Sequence, residues 1–125
     1  MTRALEDGAL DDAARADLIR GARLFDAGQH FEAHEVWEDR WRVSTDETER
    51  LFFQGLIQLA AALHKRRVMG DPVSAERLLA RGLAKLDAGP AHVHGLDVRA
   101  LCARMRAWDP DAKSALPAIG PLDAP

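Results

Sequence analysis

One segment of the chain concentrates residues able to do chemistry: His30-Phe31-Glu32-Ala33-His34-Glu35-Val36-Trp37-Glu38-Asp39-Arg40-Trp41-Arg42. His34 and Glu38 stand four apart, so on a helix both reach the same side, and His30 adds a third group one turn earlier. Neutral imidazoles and a carboxylate, with positions left open for water, suit zinc, iron(II) or manganese. A divalent metal held by His30, His34 and Glu38 would activate water for hydrolysis. Glu35 points partly away from that face and would serve as a base or as a support for a ligand. Against the metal reading, the segment has no His-Glu-x-x-His motif and no paired Glu-x-x-His motifs of the di-iron kind. Two other accounts use the same residues. One is a buried His–Glu–Gln hydrogen-bond network that fixes how two helices meet. The other is a site for an organic ligand.

The partners for such a network lie further along. From Leu51 to Leu63 the chain is apolar nearly all round a helix, the mark of a central, buried element. Gln54 and Gln58 interrupt it on one stripe, and two buried amides must hydrogen-bond something inside. The simplest packing sets them against His34 and against Glu38 or Glu35. His64 falls on another flank, with Phe53, Ile57 and Val68. An imidazole there is a satisfied core histidine, a ligand or a base. Trp37 and Trp41, four apart, form either plain core or a stacking platform. Gly55 in mid-helix costs stability and allows close approach of a neighbouring backbone.

Other candidates are weaker. His92-Val93-His94 sits in a turn with no nearby carboxylate except Asp97, and reads as a chance loop. Cys102, near Leu101, Met105 and Trp108, reads as a small core residue with no cation beside it to activate the thiol. Ser44, Ser74 and Ser114 lie at helix starts or in the tail, so no Ser–His–Asp nucleophile is expected. No glycine-rich phosphate loop is present. Lys65-Arg66-Arg67 suits the negative end of a helix and is too short for a nucleic-acid stripe.

The elements that must position these residues are helical. Only 6 Val, 3 Ile and 3 Thr occur, and no stretch alternates over strand length, so no sheet is expected. Periodicity and punctuation predict helices over about 11–27, 30–42, 46–69, 71–87 and 97–108. Gly28, Gly70 and Gly89-Pro90 act as stops. Ser44 and Glu47 have capping-box spacing, and Asp71-Pro72 is a start signal. Ala91 to Leu96 reads as a short loop. A quasi-repeat at an offset of 42 pairs Gly28 with Gly70, Ala33 with Ala75, Val36 with Leu78, Trp37 with Leu79 and Trp41 with Leu83. Each copy is an αα-hairpin, and the period is too long for a tetratricopeptide array. The expected fold is therefore all-α: a compact bundle of about five helices, two αα-hairpins plus a C-terminal helix. It would form one domain over 1–108, followed by a Pro-rich coil over 109–125 that lies on the bundle or hangs loose. The expected core is Leu18, Phe25, Trp37, Trp41, Phe52, Leu56, Leu59, Leu63, Leu79, Leu83 and Leu86.

Two runs resemble the signature of domain-of-unknown-function family 309. The first is Leu24-Phe25-Asp26-Ala27-Gly28-Gln29-His30-Phe31-Glu32-Ala33-His34-Glu35-Val36-Trp37-Glu38-Asp39-Arg40-Trp41. The second is Phe53-Gln54-Gly55-Leu56-Ile57-Gln58-Leu59-Ala60-Ala61-Ala62-Leu63-His64, followed by the Gly70 stop and a leucine-rich helix. The resemblance covers roughly Gly21 to Leu86. It implies a small prokaryotic all-helical bundle and supplies no activity. Carried onto this sequence, the family pattern singles out Glu32, His34, Glu35, Trp37, Glu38, Gln54, Gly55, Gln58 and His64.

Whole-chain properties narrow the function classes. The 125 residues fit one domain, and 47% apolar with 30% charged residues is a globular balance. No apolar run approaches a membrane span, and the acids near Met1 argue against a secretion signal. A lone Cys102 cannot make an internal disulfide and suits a reducing cytoplasm. A net charge of −3 gives no electrostatic case for nucleic acid. The 14 arginines against 3 lysines, with 23 alanines and no asparagine or tyrosine, follow GC-rich codon usage and carry no functional weight. Three functions remain open. The chain is a module whose groove beside the second helix binds a partner protein or small molecule, a metal-dependent hydrolase, or a homodimer with the polar cluster at its seam.

Overall fold

Among the described residues five helices carry the fold: α1 (Asp12–Asp26), α2 (His30–Val43), α3 (Glu47–Arg67), α4 (Pro72–Ala88) and α5 (Val98–Ala107). The computed structural model describes residues 12–112 and 115–122. The expected helix start at Asp11 and the expected tail position of Ser114 lie outside the described residues. The all-α bundle read from periodicity is the fold observed. Consecutive helices pack on one another from α1 through α4, and α5 packs on α4. The long α3, flanked by α2 and α4, is the central element, with Phe52, Phe53, Leu56, Leu59, Ala60 and Leu63 all buried.

Side chains chosen for their oxygens start three of the helices. Asp46, Asp71 and Asp97 accept from the backbone N–H of Glu49, Ser74 and Ala100 at 2.9, 3.1 and 3.0 Å. The Asp46 cap corrects the capping box expected of Ser44 and Glu47. Ser44 instead follows the last residue of α2, where its N–H bonds back to Arg40 and Trp41, and its hydroxyl is spent on the Glu49 carboxylate. At the other end of the site, Gly28 (φ 83°) ends α1 in a Schellman motif, with Gly28 N–H bonding Phe25 O and Gln29 N–H bonding Leu24 O.

Two close approaches depend on glycine. A Cβ on Gly21 would stand 2.1 Å from the Trp37 Nε1, so α1 opens to admit the indole edge. Gly55 does allow the backbone approach expected of it: a Cβ on Gly82 of α4 would lie 2.8 Å from the Gly55 carbonyl oxygen.

Two expectations need correction. A small sheet exists: β1 (His92–Val93) pairs antiparallel with β2 (Leu96–Asp97). His94 (φ 50°) and Gly95 (φ 88°) form the two-residue turn between them. Both central residues take positive φ, as the tightest hairpin turns require. The core also differs at two positions. Trp41 and Leu79 are only half-buried, and the Arg50 guanidinium lies 4.2 Å from the centre of the Trp41 ring. Phe53, Leu101, Met105 and Ile119 join the core in addition.

Candidate functional site

The N-terminus of α2 is left without a side-chain cap. The Schellman turn leaves only Ala27, Gly28 and Gln29 between the two helices, and the Gln29 side chain makes no capping bond. Ala33 N–H is the first of the helix to find an acceptor, Gln29 O at 3.0 Å. The N–H groups of His30, Phe31 and Glu32 have no acceptor among the described residues. Such orphan donors carry the positive end of the helix dipole.

Beside them opens a cleft of about 470 Å³ walled by Gly28, Gln29, His30, Phe31, Glu32, His64 and Val68. His30, the first residue of α2, is only 3% exposed, and its ring meets Phe25 edge-on at 4.9 Å. Its Nε2 is buried with no hydrogen-bond partner among the described residues. Burial lowers its pKa to about 4, helped by the positive charge of Arg67 and by the neighbouring His64 and opposed by Asp26. At neutral pH this imidazole is uncharged. Phe31, 47% exposed, lies over two further imidazoles, with ring centres 6.0 Å from His34 and 5.3 Å from His64. Two histidines, His34 and His64, therefore flank the Phe31 ring where α2 meets the end of α3, while His30 packs on Phe25 and lines the same cleft as His64.

Of the carboxylates and amides expected to join them, Glu32 lines the cleft and the others are elsewhere. Glu32 and Glu35 are exposed, and Glu38 pairs with Arg42 at 3.4 Å on the outer side of its own helix. Gln58 accepts from Lys85 of α4 at 2.9 Å, because its stripe of α3 faces α4. No hydrogen bond joins Gln54 or Gln58 to His34, Glu35 or Glu38 among the described residues. His34 keeps a buried Nδ1 without a partner there, and Trp37 is fully buried core rather than a stacking platform. His30, His34 and Glu38 do not converge as a ligand set. No group of three or more His, Cys, Asp or Glu among the described residues is close enough together to hold a metal ion. The physical reason is the i,i+4 ion pair that turns Glu38 outward and the first-turn position that turns His30 inward.

The buried acid–imidazole network does exist, but at the opposite end of α2. His94 Nε2 lies 3.3 Å from Glu49 Oε1, and Ser44 Oγ donates to Glu49 Oε2 at 2.8 Å. Burial alone would raise the Glu49 carboxyl; the hydrogen bonds from His94 and Ser44 and the charges of His94 and Arg40 outweigh it and hold it below its usual value. The carboxylate stands between serine and histidine, so the order is wrong for a nucleophilic relay, in which histidine must touch the hydroxyl. This cluster clamps the hairpin onto the α2–α3 corner. His94 therefore corrects the chance-loop reading of His92-Val93-His94. Its one signal in the sequence was Gly95 after His94, a weaker turn mark than the Asn-Gly or Asp-Gly pairs that specify such hairpins. Cys102 is buried, and burial with the nearby Asp87 raises its thiol, in keeping with a core role.

The family model described as domain of unknown function DUF309 matches residues 18–78, a span holding α1 to the first turns of α4. An uncharacterized protein of Aquifex aeolicus (strain VF5) is 27% identical over 84 residues, 66% of this chain and 25% of that protein. The chain thus spans about a quarter of the length of the curated relative it matches. No helix among the described residues is long and apolar enough to cross a membrane.

Proposed function

We propose that this chain, which matches the DUF309 family model over residues 18–78, is a binding module whose site is the cleft between the start of α2 and the end of α3. The observation that carries this reading is the buried, unpartnered Nε2 of His30, a residue that lines that cleft. A buried polar atom without a partner costs about 1–3 kcal/mol, a cost that an occupant offering a hydrogen bond removes. The rim supports the same reading. Phe31 is 47% and Val68 67% exposed, and together they offer an apolar edge beside the polar floor. Small-molecule sites combine apolar lining with a few convergent polar groups in this way. The occupant expected is a small organic molecule, or a partner's side chain, with an apolar body and one polar end.

The test is a titration of the labelled protein with small aromatic acids, amides and alcohols, followed by the ring signals of His30 and His64 and the amide signal of Phe31. Hits should move these signals together and saturate, and Phe31→Ser should weaken the same hits about threefold to tenfold by removing the apolar edge. Hits that shift only the groove of α1 and the C-terminal segment, lined by Ile19 and Leu122, would sink the reading.

A further inference from the structure

Charge and donor geometry narrow what the cleft accepts. We infer that it is an oxyanion site, seating a carboxylate or phosphoryl group at the uncapped start of α2 against His30, His64 and Arg67. The inference rests on the binding reading above.

Independent observations meet there. The first is the set of three N–H groups, of His30, Phe31 and Glu32, with no acceptor among the described residues. They open a helix of 14 residues, long enough for its dipole to favour negative charge at that end. The second is His30 itself, 3% exposed, lining the cleft with an unpartnered Nε2. A neutral imidazole protonated on that nitrogen donates one hydrogen bond and accepts none there. The third is cationic charge from α3. One guanidinium nitrogen of Arg67 lies 4.0 Å from where a Cβ on Gly28 would stand, and His64 is part of the cleft wall.

Two acids face the same region. Glu32 lines the wall from the first turn of α2, and being exposed it sits where solvent screens it. Asp26 of α1 faces His30, but its two oxygens accept from Ile119 N–H at 2.7 Å and Gly120 N–H at 2.9 Å, which offsets its charge. With Asp26, Glu32, His64 and Arg67 all accounted for, an added anion favours protonated His30. Its pKa, about 4 without one, then rises, and anion affinity climbs as pH falls from neutral toward 5.

The experiment compares three probes of one shape at constant ionic strength: phenylacetate, phenyl phosphate and the neutral phenylacetamide. Each is followed by the amide signals of His30, Phe31 and Glu32. The expected result is saturable movement of all three signals with an anion and not with the amide. Arg67→Gln should weaken the anion about tenfold, the size of one lost charge-assisted contact. Glu32→Gln should tighten it about threefold by removing a repelling charge. Both positions are exposed, so both variants are expected to fold, which the remaining amide signals report directly. Saturation by phenylacetate alone assigns a carboxylate ligand, and by phenyl phosphate alone a phosphoryl ligand. If phenylacetamide binds as tightly as the anions and neither variant changes this, the oxyanion inference is overturned while the cleft remains a binding site. If none of the three probes moves the cleft signals, both readings fall.

Discussion

His30 is held in its uncharged form by where the chain puts it, and that makes its titration a property of folding. Its pKa is about 4 in the fold and near 6.5 when exposed, so between those values the unfolded chain binds the extra proton. The stabilisation is therefore fully present above pH ~6.5 and is lost as pH falls toward 4. A shift of that size corresponds to about 3 kcal/mol, and because the fold can relax around the protonated ring, about 1–2 kcal/mol is expected. Urea unfolding at several pH values, compared between the native chain and His30→Leu, checks this: the native chain should lose that much more stability across the interval. Equal losses would mean the ring is not held neutral. Glu49 acts in a lower window. Its carboxyl sits below the ordinary range in the fold, so its contribution is present above the unfolded value of 4.5 and is lost as pH drops through the folded one. The sequence made His30, His34 and His64 visible as polar groups on faces that ought to be buried, and the structure brings His30 and His64 to one cleft with His34 stacked behind Phe31. It could not reveal their partners. Glu49 and His94 are 45 positions apart, and only the tertiary fold shows that the carboxylate closest to an imidazole is that one and not Glu38, four residues from His34.

At the scale of elements, local chemistry was the most legible. Asp71 caps where the Asp-Pro start signal predicts, Asp97 caps the helix it is expected to open from within, and Gly28 stops α1 where a left-handed residue is needed. The small hairpin escaped because strands of two residues have no periodicity to detect, and its turn places histidine rather than asparagine before glycine. Packing between helices was partly legible. A glycine inside the apolar α3 signalled close approach, but the opposing Gly82 could be matched to Gly55 only once α4 was docked. The two kinds of glycine should separate cleanly in measured stability. Gly82→Ala drives a Cβ to 2.8 Å from the Gly55 carbonyl oxygen, a backbone atom that cannot rotate away, so α3 and α4 must part. A cost of about 2–3 kcal/mol is expected, in the range of overpacked cores. Gly70→Ala meets nothing within 4 Å, and its only burden is a φ of 63°. That costs about 1 kcal/mol. Denaturant unfolding of the two variants should rank them in that order, and the reverse order would mean that the helices separate more easily than their contact implies.

Across the whole molecule, the C-terminal segment and the cleft share a carboxylate. Proline content alone left the segment either docked or loose; the described part is docked, because Ile119 is buried and Arg104 donates to the carbonyls of Ala118 and Ile119 at 3.0 and 2.9 Å. Asp26 completes the attachment by accepting from Ile119 and Gly120 N–H, and the same side chain raises the pKa of His30 against the effect of Arg67 and His64. Asp26→Ala therefore acts in two places. The amides of Ile119 and Gly120 lose their acceptor and should exchange hydrogen at nearly unprotected rates, while those of central α3 stay slow. Two charge-assisted bonds at a partly exposed site should cost about 1–2 kcal/mol in total. The His30 pKa, losing its one favourable charge, should move further down rather than up. Exchange and histidine titration on the same variant separate the two roles. Protected tail amides with an unshifted His30 would mean that Arg104 and the buried Ile119 hold the segment unaided and that the Asp26 charge does not reach the cleft. Loss of tail protection together with a lower His30 pKa would establish that attachment of the segment and the electrostatics of the cleft are set by one side chain, so that whatever detaches the C-terminal segment also changes what the cleft binds.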